Sequence, residues 1–526
     1  MNTTETPVLV VGAGPVGLTT ACQLARLGVS VRVVDALERP TTESRAVSVH
    51  ARSLEMLAAL GVLPRLESLG RQIAALEIVS GDTGKARARL EIGGVPSRHP
   101  YVLDVAQPDT EAVLAERAAE LGIVVERGVA LSGLTQDAHG VQVTLRSREG
   151  EQTTRVGWVV GADGGHSTTR SLVGARLEGG FHGQHFAMAD VDVDSPFSRD
   201  AIRMFTHPDG MGMVFPLAGT RARVMIEVDA PDPGDPTLEQ VQAWADARMG
   251  GQVKVSNPRW MTYFEIHHAQ VPRYRLGRVV LAGDAAHIHS PAAAQGMNTG
   301  MQDAANLAWK LALVAQGRAD QALLDTYHDE RHPVGASVVR MTTTLTNIGT
   351  ASGPEAAIRD VAFFLVGHVQ RLRSAGTVRL AEITINYRDS ALSVHDGHHH
   401  HGTARAGEHA PDPAGIVPAI EDLLAESGFV LLARTAAPLD ELRNALGDLG
   451  TVVRVARERT DEACVVDPVD AISRAYGLGA EGIALIRPDG YLAFVSATAD
   501  PEPLRRYLAD ALRIAVPSVP SAVGAE

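Results

Sequence analysis

Residues 7–35 read PVLVVGAGPVGLTTACQLARLGVSVRVVD. An apolar run breaks at glycine, helical spacing of apolar residues follows from Pro15, Gly28 closes it, and a second apolar run ends on Asp35. That order predicts strand, glycine turn, helix and strand: a βαβ unit. Gly12-Ala13-Gly14-Pro15-Val16-Gly17 is a GxGxxG in the context that gives the pattern meaning. Gly12 permits the tight turn, Gly14 lets a pyrophosphate approach the backbone, and Gly17 allows close helix–strand packing. The helix starting at Pro15 turns unpaired N–H groups and a partial positive charge toward the phosphates. Asp35 stands where a carboxylate accepts from a ribose hydroxyl. A dinucleotide is the expected ligand.

Residues 277–313, GRVVLAGDAAHIHSPAAAQGMNTGMQDAANLAWKLAL, decide which one. A buried strand ends at Gly283-Asp284, a loop of small residues follows, and a long amphipathic helix begins. Asp284 lies too far along the chain to serve the NAD fingerprint begun at Gly12. A second carboxylate at a strand end suits the ribityl hydroxyls of a flavin. The loop from Pro291 to Asn298, through Gly296 and Met297, is small enough to pass beside a flat ring. The helix after it directs its positive end at the ring's pyrimidine edge. The expected flat object is an isoalloxazine, and the expected cofactor FAD.

The rest of the chain narrows the class. With 526 residues, 45% of them hydrophobic, it can bury several cores. No apolar run is long enough to span a bilayer, and the start enters a strand without a basic leader, so neither a membrane span nor a signal peptide is expected. A net charge of −14 disfavours nucleic acid or anionic membrane as the main partner. Cys22 and Cys464 stand far apart in no CxxC spacing, which reads as a cytoplasmic protein without dithiol chemistry.

The pattern along the chain predicts an α/β fold in four stretches. Residues 1–178 form the first part of a Rossmann-like FAD-binding domain. Residues 179–275, with short alternating strands such as GMVFPLAG and RARVMIEVDA, form an inserted β-sheet substrate domain. Residues 276–395 return to the FAD domain with long helices. After the polar break HDGHHHHGTARAGEHAPDPAG, residues 402–526 run strand, helix, strand, helix, hairpin, helix. That order resembles a thioredoxin-like domain without its CxxC, which points to packing or dimerisation and leaves monomer or homodimer open.

Three motifs in order, the N-terminal GxGxxG, GADGGHSTTR at 161–170 and GDAAHIHSP at 283–291, resemble those of the class A FAD-dependent aromatic hydroxylases. These are the para-hydroxybenzoate hydroxylase-like flavoprotein monooxygenases. The likeness runs over essentially the whole chain and is strongest to the polyketide and antibiotic hydroxylases with a thioredoxin-like tail. It implies that Asp163 supports FAD and a transient nicotinamide site, and that Asp284 binds the ribityl chain. It further implies that Arg45 and Gln107 contact FAD, and that Pro291, Gly296 and Asn298 border the ring. Ala293-Ala294 replaces a frequent Gly-Gly, and Asp35 a frequent Glu. Neither change removes a needed group. The reaction so implied takes NAD(P)H and O2 and hydroxylates an activated phenol through a flavin C4a-hydroperoxide. No second nicotinamide-binding unit is visible, so the reductant visits. Baeyer–Villiger oxygenation or epoxidation by the same oxidant, or a non-catalytic flavin-binding module, are the alternatives.

The substrate is expected between the flavin and the inserted sheet, near Arg203, Phe205, Met213 and Phe215, with His267 or His268 nearby. Phe and Met at strand period also describe an ordinary core. No general base is identifiable. His287 and His289 lack a carboxylate to complete a metal site. The run His398–His401, with His395 and His409, reads as a solvated loop with incidental metal affinity.

Overall fold

Val8–Val11, four buried aliphatic residues, is a central strand of a six-stranded sheet in the computed structural model. It pairs in parallel with Val31–Asp35 on one side and Trp158–Gly161 on the other. The full order is Arg275–Leu276, Val279–Leu281, Trp158–Gly161, Val8–Val11, Val31–Asp35 and Val125–Arg127, parallel except for the first pair. Strands covered on both faces are continuously apolar for that reason. Leu9 and Val11 pack with Leu131, Val143 and Val156 of a three-stranded antiparallel sheet. The helices Pro15–Arg26 and Gln107–Glu120 pack on each other, and Cys22 between them is buried, its thiol pushed up to about 12. It is an inert core residue.

The structure describes residues 7–229, 231, 233–288, 295–349, 381–397, 402–413, 416–460 and 464–514, with backbone alone at 181–183, 266–267 and 339–349. The chain packs as two units: Met1–Ala308 with Arg331–Ile385, and Trp309–Glu330 with Asn386–Glu526. No helix among the described residues is long and apolar enough to cross a membrane.

The first unit also holds an eight-stranded sheet. Its order is His287–Ile288, Lys254–Gln270, Glu178–Asp194, Arg221–Val228, Gly210–Pro216, Ala201–His207, Ala75–Ser80 and Ala86–Glu91. The sheet is therefore not confined to 179–275. Ala201–His207 pairs in parallel with Ala75–Ser80, a partner from far upstream that no local pattern announces. Alternation divides its residues between two faces. Ala189, Val191, Phe205, Val214, Val224 and Ile226 pack against Val241 and Ala245 of the helix Leu238–Arg248. Phe186, Met211, Met213, Phe215 and Met225 pack in a separate cluster with Val47, Ile73 and Val102.

In the second unit, Phe429–Arg434 lies parallel to Gly450–Ala456 and antiparallel to Gly482–Ile486, which turns into Leu492–Ser496. The helices Asp440–Leu446, Ala471–Tyr476 and Pro501–Asp510 fall between and after these strands. The strand–helix order matches the expectation, with Cys464–Val466 and Val394–Asp396 added at the sheet's edges. Trp309–Glu330 joins this unit, although the sequence reading places it with the FAD domain. A buried ionic cluster is one reason. Glu330 accepts from Lys310 at 2.8 Å and from both terminal nitrogens of Arg487, which also pairs with Asp489. Two cations and two anions balance there, the condition under which buried charge is tolerable.

Candidate active site

The glycine loop behaves as its sequence requires, and each glycine for its own reason. Gly12 has φ +102°, and a Cβ on it would lie 2.3 Å from the Ala162 carbonyl oxygen. A Cβ on Gly17 would lie 1.9 Å from the Gly12 carbonyl oxygen, so this glycine packs the helix against the turn itself. Around Gly14 nothing of the protein lies within 4 Å of a Cβ, and the helix it precedes, beginning at Pro15, has no side-chain cap. A helix start left open in this way is an anion site. Asp35 accepts from the Ala13 N–H at 2.7 Å and the Leu37 N–H at 2.8 Å, with Arg127 at 3.5 Å.

Asp163 is fully engaged. One oxygen accepts from the Ser167 hydroxyl, and the other from the Thr169 N–H at 2.9 Å and hydroxyl at 3.0 Å. Ser167 in turn caps the helix Thr168–Leu172 through the Arg170 N–H. Asp163 thus folds the loop that contains Gly164 and Gly165. Asp284 is the opposite case. It follows the strand Val279–Leu281, is open to the cleft, and has no hydrogen-bond or ion-pair partner among the described residues. Its solvent exposure is exposure to a deep cleft, and the protein around it raises its pKa by desolvation, against the pull of His287 and Arg45.

Arg45 is exposed and pairs with Glu43 at 2.9 Å. Gln107 opens the helix Gln107–Glu120, accepts from the Ala46 N–H and donates to Glu111, pinning the segment that carries Arg45. Gly296 and Met297, at the start of the helix Gly296–Ala315, line the cleft. Asn298 spends its amide elsewhere: it accepts from the His50 N–H at 2.9 Å and donates to the Ser48 carbonyl at 2.8 Å. It anchors the helix start, because its direction on the helix aims it at the strand Ser48–Val49. Pro291, Ala293, Ala294 and His289 lie outside the described residues.

On the eight-stranded sheet the substrate expectation needs correction. Arg203 and Phe205 alternate to the face covered by Leu238–Arg248; Arg203 pairs there with Glu77 at 2.8 Å and lies over Phe197. Met213 and Phe215 take the other face, and Phe215 lines the cleft. Beside it stand Met188, Arg223, Met225, Trp260 and Phe264, none of which the sequence reading named. Arg223 makes a buried two-pronged pair with Asp190, at 2.5 and 2.9 Å, and sits 5.4 Å from the Trp260 ring centre. RARVMIEV shows two faces by alternation, but which face meets a ligand is decided by the helix that covers the other. His268 is buried in its strand; the side chain of His267 and the run His398–His401 lie outside the described residues. His287 is buried with Nε2 2.7 Å from Asp303.

One cavity of about 1040 Å³ joins these parts, from Gly12–Pro15 and Asp35, past Asp163 and Asp284, to Met188, Phe215 and Trp260. An FAD binding domain family model matches residues 5–342. The chain is 36% identical over 513 residues to 6-methylpretetramide 4-monooxygenase of Streptomyces rimosus, covering 92% of this chain and 90% of that one. The chain belongs to the FAD-dependent aromatic hydroxylases. The hydroxylase is also 33% identical, over 93% of each chain, to pentachlorophenol 4-monooxygenase of Sphingobium chlorophenolicum. The solved anhydrotetracycline hydroxylase from Streptomyces rimosus superimposes with a TM-score of 0.79 at 30% identity, covering 96% of this chain and 99% of that one. The hydroxylase is thus a flavoprotein monooxygenase that uses FAD, NAD(P)H and O2. An uncapped helix start, an open Gly14 and an unpartnered Asp284 fit a pyrophosphate and a polyhydroxylated chain.

Proposed function

We propose that the enzyme hydroxylates a phenolic or polycyclic aromatic of the polyketide or antibiotic type, held between the FAD loops and the sheet face of Met188, Phe215, Met225, Trp260 and Phe264. The observation that carries this reading is the single cavity shared by the cofactor loops and that face. About 300–1,000 Å³ is the usual size for one drug-sized ligand, and this cavity, at about 1040 Å³, slightly exceeds it. FAD, when bound, supplies the redox and oxygen-transfer chemistry. The chain supplies the geometry. Gly12, Gly14, Pro15 and Gly17 with the helix start take the pyrophosphate, Asp35 a ribose hydroxyl, and Asp284 the ribityl hydroxyls. Arg45, Gln107, Asp163, Gly296 and Met297 border the remainder, and Asn298 acts from behind by fixing the helix. Aromatic and methionine side chains give a substrate a broad apolar wall, while the Arg223–Asp190 pair adds a polar point on it. The C-terminal unit is thioredoxin-like and serves packing, as a monomer or within a homodimer.

The test is a panel of phenols, naphthoquinones, ansamycins and polycyclic aromatics, scored by substrate-dependent NADPH oxidation and by incorporation of one atom of labelled O2. The expected product carries a new ring hydroxyl. An oxygen inserted beside a carbonyl, or an epoxide, would replace hydroxylation with the corresponding reaction. Bound FAD with no substrate-dependent turnover across the panel would count against this substrate class.

A further inference from the structure

Asp284 has no side-chain partner among the described residues, so something else must hold it at the cleft. The residues on either side of it supply the answer. Asp303, fully buried on the helix Gly296–Ala315, accepts through one oxygen from the Gly283 N–H at 3.2 Å and bonds the His287 Nε2 at 2.7 Å. Gly283 precedes Asp284 and His287 follows it within the same loop. The second oxygen of Asp303 accepts from Arg331 Nε at 2.6 Å, and Arg331 also donates to the Thr299 carbonyl at 3.0 Å, on the helix that carries Asp303.

We propose that Asp303 is the positioning residue of the cofactor loop: one buried carboxylate grips both sides of Asp284 and takes its own orientation from Arg331. The backbone contact agrees with this. Gly283 has φ +59°, and a Cβ on Gly300 would lie 3.2 Å from the Gly283 Cα, so loop and helix meet where both lack side chains. Tyr274 stacks on the far side of the imidazole, ring centres 5.8 Å apart, and limits its rotation. The charges agree as well. Burial works against an ionised Asp303, but Arg331 and His287 outweigh it and hold the carboxyl below its usual range. A charged acceptor makes stronger bonds than a neutral one, so the grip depends on that ionisation. Its negative charge also acts on Asp284, raising that carboxyl's pKa while His287 and Arg45 lower it.

The inference rests on reading Asp284 as a ligand of FAD, and the experiment separates the two. Apoprotein is titrated with FAD by fluorescence, for wild type, Asp284→Ala, Asp303→Asn and Asp303→Ala, with folding checked by circular dichroism. Asp303→Ala is expected to weaken FAD by about tenfold or more, the scale of one charge-assisted hydrogen bond. In Asp303→Asn the acid limb of FAD affinity should move to lower pH, because the charge that raises the Asp284 pKa is gone. A merely structural defect would not move that limb. If Asp284→Ala weakens binding while both Asp303 variants, folded, bind as wild type does, the proposal is overturned. If Asp284→Ala changes nothing, the reading beneath it fails and the proposal falls with it. Should the Asp303 variants not fold, His287→Ala removes one of the two grips; weaker FAD binding, restored in His287→Gln by its side-chain N–H, supports the proposal, and unchanged affinity overturns it.

Discussion

Asp163 and Asp284 follow neighbouring parallel strands, Trp158–Gly161 and Val279–Leu281, and both belong to glycine-containing motifs. Their surroundings are opposite. Asp163 is bonded through both oxygens by Ser167 and Thr169, residues of its own loop, and its first task is to fold that loop. Asp284 has no partner among the described residues, and its loop is held instead by Asp303 and Arg331 from two long helices. A carboxylate already bonded has part of its binding capacity committed to the protein. A free one, placed by its neighbours, has that capacity left for a ligand. Local chemistry builds the first loop and tertiary packing builds the second.

The largest expected effect carries the comparison to the glycine loop. Gly12→Ala would force a methyl into the Ala162 carbonyl, just before Asp163, at a positive φ. A loss of about 4 kcal/mol or more is expected, enough to abolish soluble folded protein. Gly14→Ala meets nothing, so the apoprotein should melt within roughly 0.5 kcal/mol of wild type while FAD affinity falls. Equal melting of both variants would break the distinction between a glycine needed by the fold and one needed by the ligand.

The next effect sharpens the carboxylate pair itself. Asp284→Ala should weaken FAD by roughly 10- to 150-fold, from about 1.5–3 kcal/mol for a hydrogen bond to a charged acceptor. The apoprotein melting point should hold, since no protein bond is lost. Asp163→Ala should lower it, through a stability loss of about 1 kcal/mol from the lost support of the capped helix at Thr168. The comparison fails if thermal scans of the two apoproteins show the reverse.

The smallest effect concerns a third carboxylate, Asp104, intermediate between the two. It is fully buried, accepts from the Ser48 hydroxyl through one oxygen, and has no hydrogen-bond partner for the other among the described residues. Burial raises its pKa from 3.8 to about 7, against the opposing effects of Ser48 and the Arg223 charge. The folded state therefore holds a proton that the unfolded state has released, and stability falls as pH rises from about 4 through about 7. Asp104→Asn should remove that slope and gain about 1 kcal/mol relative to wild type between pH 6 and 8. Parallel urea titrations of the two proteins at these pH values check it; equal slopes would show that Asp104 is not the titrating group.

Part of this is legible in the sequence itself. The glycine turn with its flanking strand and helix is continuous in the chain, and its geometry follows from backbone sterics that act over a few residues. The GADGGHSTTR loop is legible as a glycine-rich turn after a strand, while a role for Asp163 comes from the family resemblance alone. The strand and helix order of the C-terminal unit was readable from apolar periodicity alone, and so was the division of the RARVMIEV strand into two faces. Family membership followed because three such local signatures fall in one order.

The rest depended on which distant segments meet. Arg203 and Phe205 look as suitable for a substrate as Phe215 and Met225 until the helix Leu238–Arg248 covers one face and leaves the other to the cleft. Ala75–Ser80 enters the eight-stranded sheet, and Trp309–Glu330 joins the C-terminal unit, through pairings between segments far apart in sequence. The grip of Asp303 on the loop of Asp284 joins two residues whose types reveal nothing of each other. Sequence determined what each short stretch can form, because those preferences are local. Tertiary structure decided which face is covered, which carboxylate is spent and which is left free, because burial and pairing belong to segments brought together only in the fold.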